Sequence, residues 1–369
     1  MSHAPLVAIT GGYGAVGFAV ARELLGTGHV RLRIGGRRLE AAQRLVDQLA
    51  GPAEALAVDV TDAEDLAGFC HGCQVVINCA GPSHRIADRV AQAAFAAGAD
   101  YVDVGGYDPG CTSTDRTGIL ASGVLPGLSG LLPRVLAETG PAEPKRLICY
   151  FGGLDRLSPI AAADVIASLH DGSGESLAMW RYGRRARSAL TPLADVELPL
   201  LPGPASAVPY LSSEAQRLAR DLGLEELFWY NVYPGMQTLA ALNRAQAGGG
   251  HRDNSSIVGD LVRSVEIDLA GRSPYLVALA QLDGEMDGHS VTRSLLLRAN
   301  EPTELNGMVA ALATSALLTH DVPRGLHNAA EVLTPKTVYE ALERSSFVDV
   351  LTVVDGPLDA ATLFDEGAL

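Results

Sequence analysis

The sequence predicts an α/β protein: a Rossmann-type, doubly wound parallel sheet followed by a second, α+β domain built on an antiparallel sheet. Three observations predict it. Short apolar runs alternate with Ala-rich helical stretches over the first 127 residues, the spacing of βαβ units. A glycine-rich turn joins the first run to the first helical stretch. Much later, two long strand-like runs flank Asp287-Gly288, a strong hairpin signal.

The elements follow in order. Leu6–Thr10 is an apolar strand, and Ala15–Leu25 has the apolar spacing of a helix. Val30–Ile34 is the second strand, Glu40–Leu49 a helix, and Glu54–Val60 the third strand. Glu64–Phe69 is a short helix, Gln74–Asn78 a strand, Ile86–Ala97 a helix and Tyr101–Val104 a strand. Right-handed crossovers then place helices on both faces of the sheet. The character changes near Pro126-Gly127. A helix over Leu131–Glu138 leads to Pro141 and Pro144, and Arg146–Phe151 reads as a strand ending in Gly152-Gly153. Residues 190–210 hold five of the twenty prolines without a clean period and read as a long irregular connection. Tyr275–Glu285 and His289–Arg298 form the hairpin, and Glu304–Leu318 is a helix. The tail holds one helix, Lys336–Arg344, and one strand, Val348–Val354.

Composition narrows the partners. The 369 residues are 47% hydrophobic and 19% charged, which argues against disorder. The longest apolar runs, about ten residues, are too short to span a bilayer. Met-Ser-His-Ala-Pro leads straight into the first strand without a basic region, so no secretory signal is expected. The net charge of −15 repels phosphate backbones and anionic lipid, so neither nucleic acid nor membrane is an expected partner. Five thinly spread cysteines fit reduced thiols in a cytoplasm. Only two basic residues are lysines, Lys145 and Lys336.

The turn Thr10-Gly-Gly-Tyr-Gly-Ala-Val-Gly17 contains Gly12-Tyr13-Gly14-Ala15-Val16-Gly17, the spacing of a dinucleotide fingerprint. Gly12 permits the tight turn, Gly14 lets the backbone approach a pyrophosphate, and Gly17 lets the helix pack close to the sheet. The second strand ends in Ile34-Gly35-Gly36-Arg37-Arg38, with no carboxylate for a ribose 2′-hydroxyl. Gly36 leaves space for a 2′-phosphate, and Arg37 and Arg38 can pair with it, so NADP(H) is the expected cofactor. Arg38 taken alone also fits a solvated helix-start residue. Asp59 and Val60, after the third strand, are placed for the adenine end; Asp59 equally fits a helix N-cap beside Thr61 and Asp62. Cys79, Ala80, Gly81 and Pro82 end the fourth strand and Gly105 follows the fifth, bordering the expected nicotinamide ribose.

Other chemistries lack their residues. No tyrosine has lysine four positions on, which excludes the short-chain dehydrogenase acid. Neither Gly-x-Ser-x-Gly nor His-Glu-x-x-His occurs. Cys70-His-Gly-Cys73 is half a zinc site without a partner pair and reads as buried or loop thiols, so no metal is expected.

Taken together, Gly-Gly-Tyr-Gly-Ala-Val-Gly, Gly-Gly-Arg-Arg, Val-Asp-Val and Asn-Cys-Ala-Gly-Pro resemble the NADP-binding domain of the saccharopine dehydrogenase/reductase-like superfamily. Tyr101-Val-Asp-Val-Gly-Gly106, Gly123-Val-Leu-Pro-Gly127, Gly152-Gly153, and the stretch from Thr303-Glu-Leu-Asn-Gly307 to Val332-Leu-Thr-Pro335 extend the resemblance. It is specific over residues 1–130 and diffuse from about 155 to 270, where the substrate would be chosen. It implies reduction or formation of C=N bonds with NAD(P)H. It also implies that residues 320–369 pack back on the nucleotide domain. The expected division is residues 1–127 for NADP, 128–319 for substrate and dimerisation, and 320–369 for that returning segment, with the cleft between the two domains.

Candidates for substrate contact follow the strand ends: His84 past Gly81, Tyr107 and Asp108 past the fifth strand, and Asp155 past Gly152-Gly153. Each also has a plain structural role available: His84 as a helix cap, Tyr107 in packing, Asp108 as a turn starter. Arg181, Arg184, Arg185 and Arg187 fit either a carboxylate or carrier-protein contact or a solvated strand face. The expected activity is NADPH-dependent reduction of an imine or similar C=N bond of a small metabolite, in secondary metabolism. The alternatives are reduction of an activated C=C or ketone, or a catalytically silent NADP sensor. A homodimer through the second domain, in the cytoplasm, is expected.

Overall fold

The structure, a computed structural model, describes residues 4–108, 110, 115–248 and 255–361. The chain forms two compact units, Met1–Leu128 with Thr303–Val338, and Ser129–Pro302 with Tyr339–Leu369. In chain order the elements begin β1 (Leu6–Thr10), α1 (Ala15–Gly26), β2 (Arg31–Gly36), α2 (Leu39–Val46), β3 (Ala53–Ala57), α3 (Ala63–Cys70) and β4 (Val75–Asn78). They continue α4 (Ser83–Ala96), β5 (Asp100–Asp103), β6 (Thr117–Leu120), α5 (Leu128–Thr139), β7 (Glu143–Leu154) and α6 (Pro159–Ser168). Next come β8 (Gly174–Ser176), β9 (Met179–Arg181), β10 (Arg184–Ala186), β11 (Leu193–Val196), β12 (Ala205–Ser212), α7 (Ser213–Asp221) and β13 (Glu226–Tyr233). The chain ends α8 (Met236–Ala247), α9 (Ser255–Leu269), β14 (Tyr275–Met286), β15 (His289–Ala299), α10 (Pro302–Leu318), β16 (Gly325–Asn328), α11 (Ala329–Val332), α12 (Pro335–Arg344) and β17 (Val348–Asp355).

The first unit is built on a seven-stranded sheet, ordered β16-β6-β5-β4-β1-β2-β3, with every pairing parallel. A parallel sheet is covered on both faces, so its inner strands are continuous apolar runs. All five residues of β1 and all four of β4 are buried. Under α3 and α4 the core gathers Leu6, Ala8, Val58, Leu66, Phe69, Val76, Val90 and Tyr101. Helix α10 is held against α1. A Cβ on Gly307 would stand 2.6 Å from the Ala19 carbonyl carbon, and Glu304 pairs with Arg22 at 2.8 Å.

The second unit carries a ten-stranded sheet along β10-β9-β13-β7-β14-β15-β17, with β12 also on β13 and β11 and β8 on β12. It is antiparallel apart from β7 and β13, which run parallel, so the sheet is mixed. Phe151 and Trp229 stack across that pair with centroids 4.9 Å apart. Trp229 is fully buried, a burial contributing about 1.5–3 kcal/mol for a side chain of this class.

Three expectations change. Residues 190–210 contain β11 and most of β12, not only irregular chain. Alternate burial in Ala205-Ser-Ala-Val-Pro-Tyr-Leu-Ser relies on alanines facing the core, which blurs the apolar period. The segment 320–369 divides: β16 extends the parallel sheet, whereas β17 pairs with β15 over Arg293–Ala299. The outer edge of β15 offers unpaired backbone groups, and the β-branched run Val348–Asp355 satisfies them. Helix α10, apart from Pro302, belongs to the first unit, so that boundary lies near 303 and not 320. The 287–288 hairpin lies between β7, which pairs with β14 over Tyr275–Glu285, and β17, which pairs with β15 over Arg293–Ala299.

Candidate functional site

All strands of the first sheet point the same way, so their C-terminal ends share one edge, where open α/β sheets bind ligands. At the end of β1, Gly11 takes φ +65°, and a Cβ there would lie 2.7 Å from Ala80 N and the Cys79 carbonyl. The left-handed turn is therefore made by Gly11, not by Gly12 as the motif suggests. Gly12 is required because Ile34 Cγ2 would stand 2.8 Å from its Cβ. Gly17 lies against the turn, its absent Cβ only 2.6 Å from Gly11 O and Gly12 Cα. Gly14 is the exposed N-cap of α1, with no side-chain cap and only Gly11 O, 3.2 Å away, near its missing Cβ. Ala15, exposed, and Val16 open the helix. This first turn offers N–H groups to an anion, as a pyrophosphate site requires.

Gly36 ends β2 beside this loop. The place of its Cβ is filled by Tyr13, whose Cε1 would be 2.3 Å away. The space expected for a 2′-phosphate directly over Gly36 is thus occupied by an aromatic ring. Arg37 and Arg38 are exposed just beyond. Arg38 is the N-cap of α2, its N–H reaches the Tyr13 hydroxyl at 3.4 Å, and its guanidinium lies 5.4 Å from the ring centroid. Two cations and no carboxylate at this strand end fit the 2′-phosphate of NADP.

Asp59 is not the cap of α3. Asp62 is, accepting from Glu64 N and Asp65 N at 2.9 and 3.0 Å. Asp59 accepts from the Thr61 N–H and hydroxyl at 2.9 and 2.7 Å. Those bonds, with Arg37 adding, hold its carboxyl below the usual range. Val60 is half-buried against the core.

Sequence reasoning missed the device that holds the nicotinamide side of the edge. Thr10, Asn78 and Asp103 are register partners across β1, β4 and β5, and all are buried. Thr10 Oγ1 donates to Asn78 Oδ1 at 2.8 Å, and Asn78 Nδ2 donates to Asp103 Oδ2 at 2.9 Å. Tyr101 OH donates to the same carboxylate oxygen at 2.5 Å. The free faces fix the loops: Ala80 N donates to Asn78 Oδ1 at 3.2 Å, and Gly105 N to Asp103 Oδ1 at 2.7 Å. A polar residue closing three neighbouring apolar strands was the available signal. Beside it, burial and then Asp103 push the Cys79 thiol above its ordinary range, so it is a neutral wall group. Gly81 and Pro82 lead into α4, with Pro82 as N-cap.

His84 is the second residue of α4 and half-buried. Tyr107 and Asp108 are exposed after β5, and Asp108 Oδ1 accepts from Gly110 N at 2.8 Å, the turn role. Asp155 belongs to the second unit, following β7, where it accepts from Arg156 N at 2.7 Å. In the basic run, Arg181 pairs with Glu226, and Arg185 and Arg187 with Glu175. Two carboxylates thus engage three of the four arginines, which weakens the charge a carboxylate clamp would use. Cys70 and Cys73 are buried thiols in the core below α3, and Cys73 Sγ lies 3.5 Å from Arg33 Nη1. Among the described residues no helix is long and apolar enough to cross a membrane.

Residues 7–121 match the family described as the saccharopine dehydrogenase NADP binding domain. Saccharopine dehydrogenase (L-Glu forming) from Saccharomyces cerevisiae is 15% identical, covers 96% of this chain and all of its own, and superposes with a TM-score of 0.67, a likeness of fold. Actinorhodin polyketide ketoreductase with NADPH is 18% identical over 27% of this chain and 52% of its own, with a TM-score of 0.25. A short-chain dehydrogenase/reductase from Veillonella parvula gives 15%, 27%, 46% and 0.24 in the same terms. Neither of the last two carries an argument about function. No curated protein matches this sequence.

Proposed function

We propose that this chain is an NADP-dependent oxidoreductase of the saccharopine dehydrogenase-like superfamily and that it reduces an imine or similar C=N bond of a small metabolite, a reading supported by the match of residues 7–121 and the likeness of fold. NADPH, held by its pyrophosphate at the glycine loop, would supply the hydride from its nicotinamide. Gly14 and the first turn of α1 hold the pyrophosphate, Arg37 and Arg38 the 2′-phosphate, and the Asn78–Asp103 network fixes the loops at Ala80 and Gly105.

The observation that carries the C=N reading is where the two lysines are. Lys145 is ion-paired with Glu285 on the second unit's sheet, and Lys336 is the second residue of α12. A ketone needs a proton donor at the developing alkoxide, the task a Tyr–Lys pair performs. A protonated imine carries its own charge, accepts hydride at carbon and leaves as a neutral amine, so positioning suffices. His84, Tyr107 and Asp108 of the first unit are the side chains we assign to substrate contact. Further parts of the same reading are a role in secondary metabolism, a cytoplasmic site of action and a homodimer formed through the second unit.

The test is a substrate panel. NADPH oxidation is followed with cyclic imines, with ketones and with activated alkenes. Turnover confined to imines supports the proposal. Turnover confined to ketones or alkenes replaces it with the same-fold reductase alternative. Light scattering that gives a monomer at micromolar concentration removes the dimer.

A further inference from the structure

We infer that Tyr13 is a selectivity-positioning residue: its ring both holds Arg38 for the 2′-phosphate and keeps position 36 closed to the carboxylate that would bind an NAD ribose. The inference rests on the NADP site proposed above and concerns how that site refuses NAD.

The geometry carries it. In an NAD-type site the last residue of the second strand bears Asp or Glu toward the ribose hydroxyls. Here that residue is Gly36. The atoms nearest its absent Cβ all belong to Tyr13: Cε1 at 2.3 Å, Cζ at 2.8 Å and OH at 3.0 Å. Any side chain at 36 must displace the ring. The same ring lies under the Arg38 guanidinium, 5.4 Å from centroid to Cζ, within cation–π range. Its hydroxyl also receives the Arg38 backbone N–H at 3.4 Å, a long bond worth little. Displacing the ring to admit a carboxylate therefore also releases Arg38. Glycine at 36 and tyrosine at 13 are one coupled feature, so exchanging either alone does not change the cofactor.

Binding of NADPH and NADH is measured by titration for the wild type, Tyr13→Phe, Tyr13→Leu, Arg37→Ala, Arg38→Ala, Tyr13→Leu with Arg38→Ala, Gly36→Asp, and Gly36→Asp with Tyr13→Leu. Thermal melts of every variant are recorded alongside. A cation–π brace predicts that Tyr13→Leu lowers the NADPH/NADH affinity ratio by about 3- to 10-fold, while Tyr13→Phe keeps most of it. With Arg38 already alanine, Tyr13→Leu has no further effect on the ratio. Gly36→Asp alone weakens both cofactors or lowers the melting temperature, and adding Tyr13→Leu restores binding with NADH now preferred.

Three results overturn the inference. One is an unchanged ratio in Tyr13→Leu. A second is an equal loss of both cofactors in that variant, which marks plain packing. The third is a switch to NADH by Gly36→Asp alone. Failure of the underlying reading looks different: the wild type itself then shows no preference for NADPH, or Arg37→Ala and Arg38→Ala both leave its preference intact.

Discussion

Replacing Arg38 with alanine removes a guanidinium that the structure holds ready beside the end of β2. A hydrogen bond to a charged group contributes about 1.5–3 kcal/mol, which at about 1.4 kcal/mol per tenfold is about 10- to 100-fold in affinity. The full range is expected for Arg38, because the Tyr13 ring at 5.4 Å already restricts its side chain. Arg37 should count for less, since it sits near the Asp59 carboxylate, whose proton affinity it lowers. NADH lacks the phosphate, so its affinity should stay within about twofold of wild type for either variant, the span of a few tenths of a kcal/mol. The maximal rate should hardly move, because the adenosine end is far from the reacting carbon. The assay is titration of both cofactors against wild type, Arg37→Ala and Arg38→Ala. Equal loss of NADPH and NADH in both variants would make the arginines structural and refute the reasoning. No change in either affinity would place the phosphate site elsewhere.

Gly17→Ala puts a methyl group 2.6 Å from the backbone at Gly11 and Gly12, and overpacking of this kind costs about 1–3 kcal/mol. A lower melting temperature with weaker NADPH binding is expected, and an unchanged melt would show that the turn can yield. Gly68→Ala, inside α3 with nothing within 4 Å of its Cβ, should stabilise by about 0.5–1 kcal/mol, read from urea melts. Asp103→Ala removes the acceptor that Asn78 Nδ2, the Tyr101 hydroxyl and the Gly105 N–H share, and a buried donor that loses its acceptor costs about 1–3 kcal/mol. Asp103→Asn should cost less, and equal melting temperatures for the wild type and both variants would rule out the network as a support. Burial pushes the Cys70 thiol from 9.0 and the Tyr150 and Tyr233 phenols from 10.0 up to about 12. Raised values mean that stability is full below the ordinary values and falls as pH rises through them toward about 12. Melting temperature should therefore decline across that alkaline window, and a melting temperature that stays flat through it would contradict the burial.

The glycine spacing, the arginine pair after β2 and the alternation of apolar runs were legible in the chain because each is a local requirement. A turn needs glycine within a few residues, a helix start follows it, and a buried parallel strand is apolar on both faces. The succession of strands β1 to β5 along the chain and the type of cofactor follow from such short-range patterns. What the tertiary structure decided depends on neighbours remote in sequence. Gly11, not Gly12, makes the left-handed turn, and its Cβ would strike Cys79 and Ala80 in the loop after β4. The space over Gly36 is filled by Tyr13, which composition at position 36 cannot reveal. Asn306 Oδ1, accepting from Val124 N at 2.9 Å, and Gly307 against Ala19 give the late Thr-Glu-Leu-Asn-Gly stretch its role in the first unit. The tail divides between two sheets because β16 and β17 each pair with whichever strand edge is open, β6 for one and β15 for the other. Edge pairing satisfies backbone groups and is blind to side-chain identity, so it leaves little trace in a single sequence.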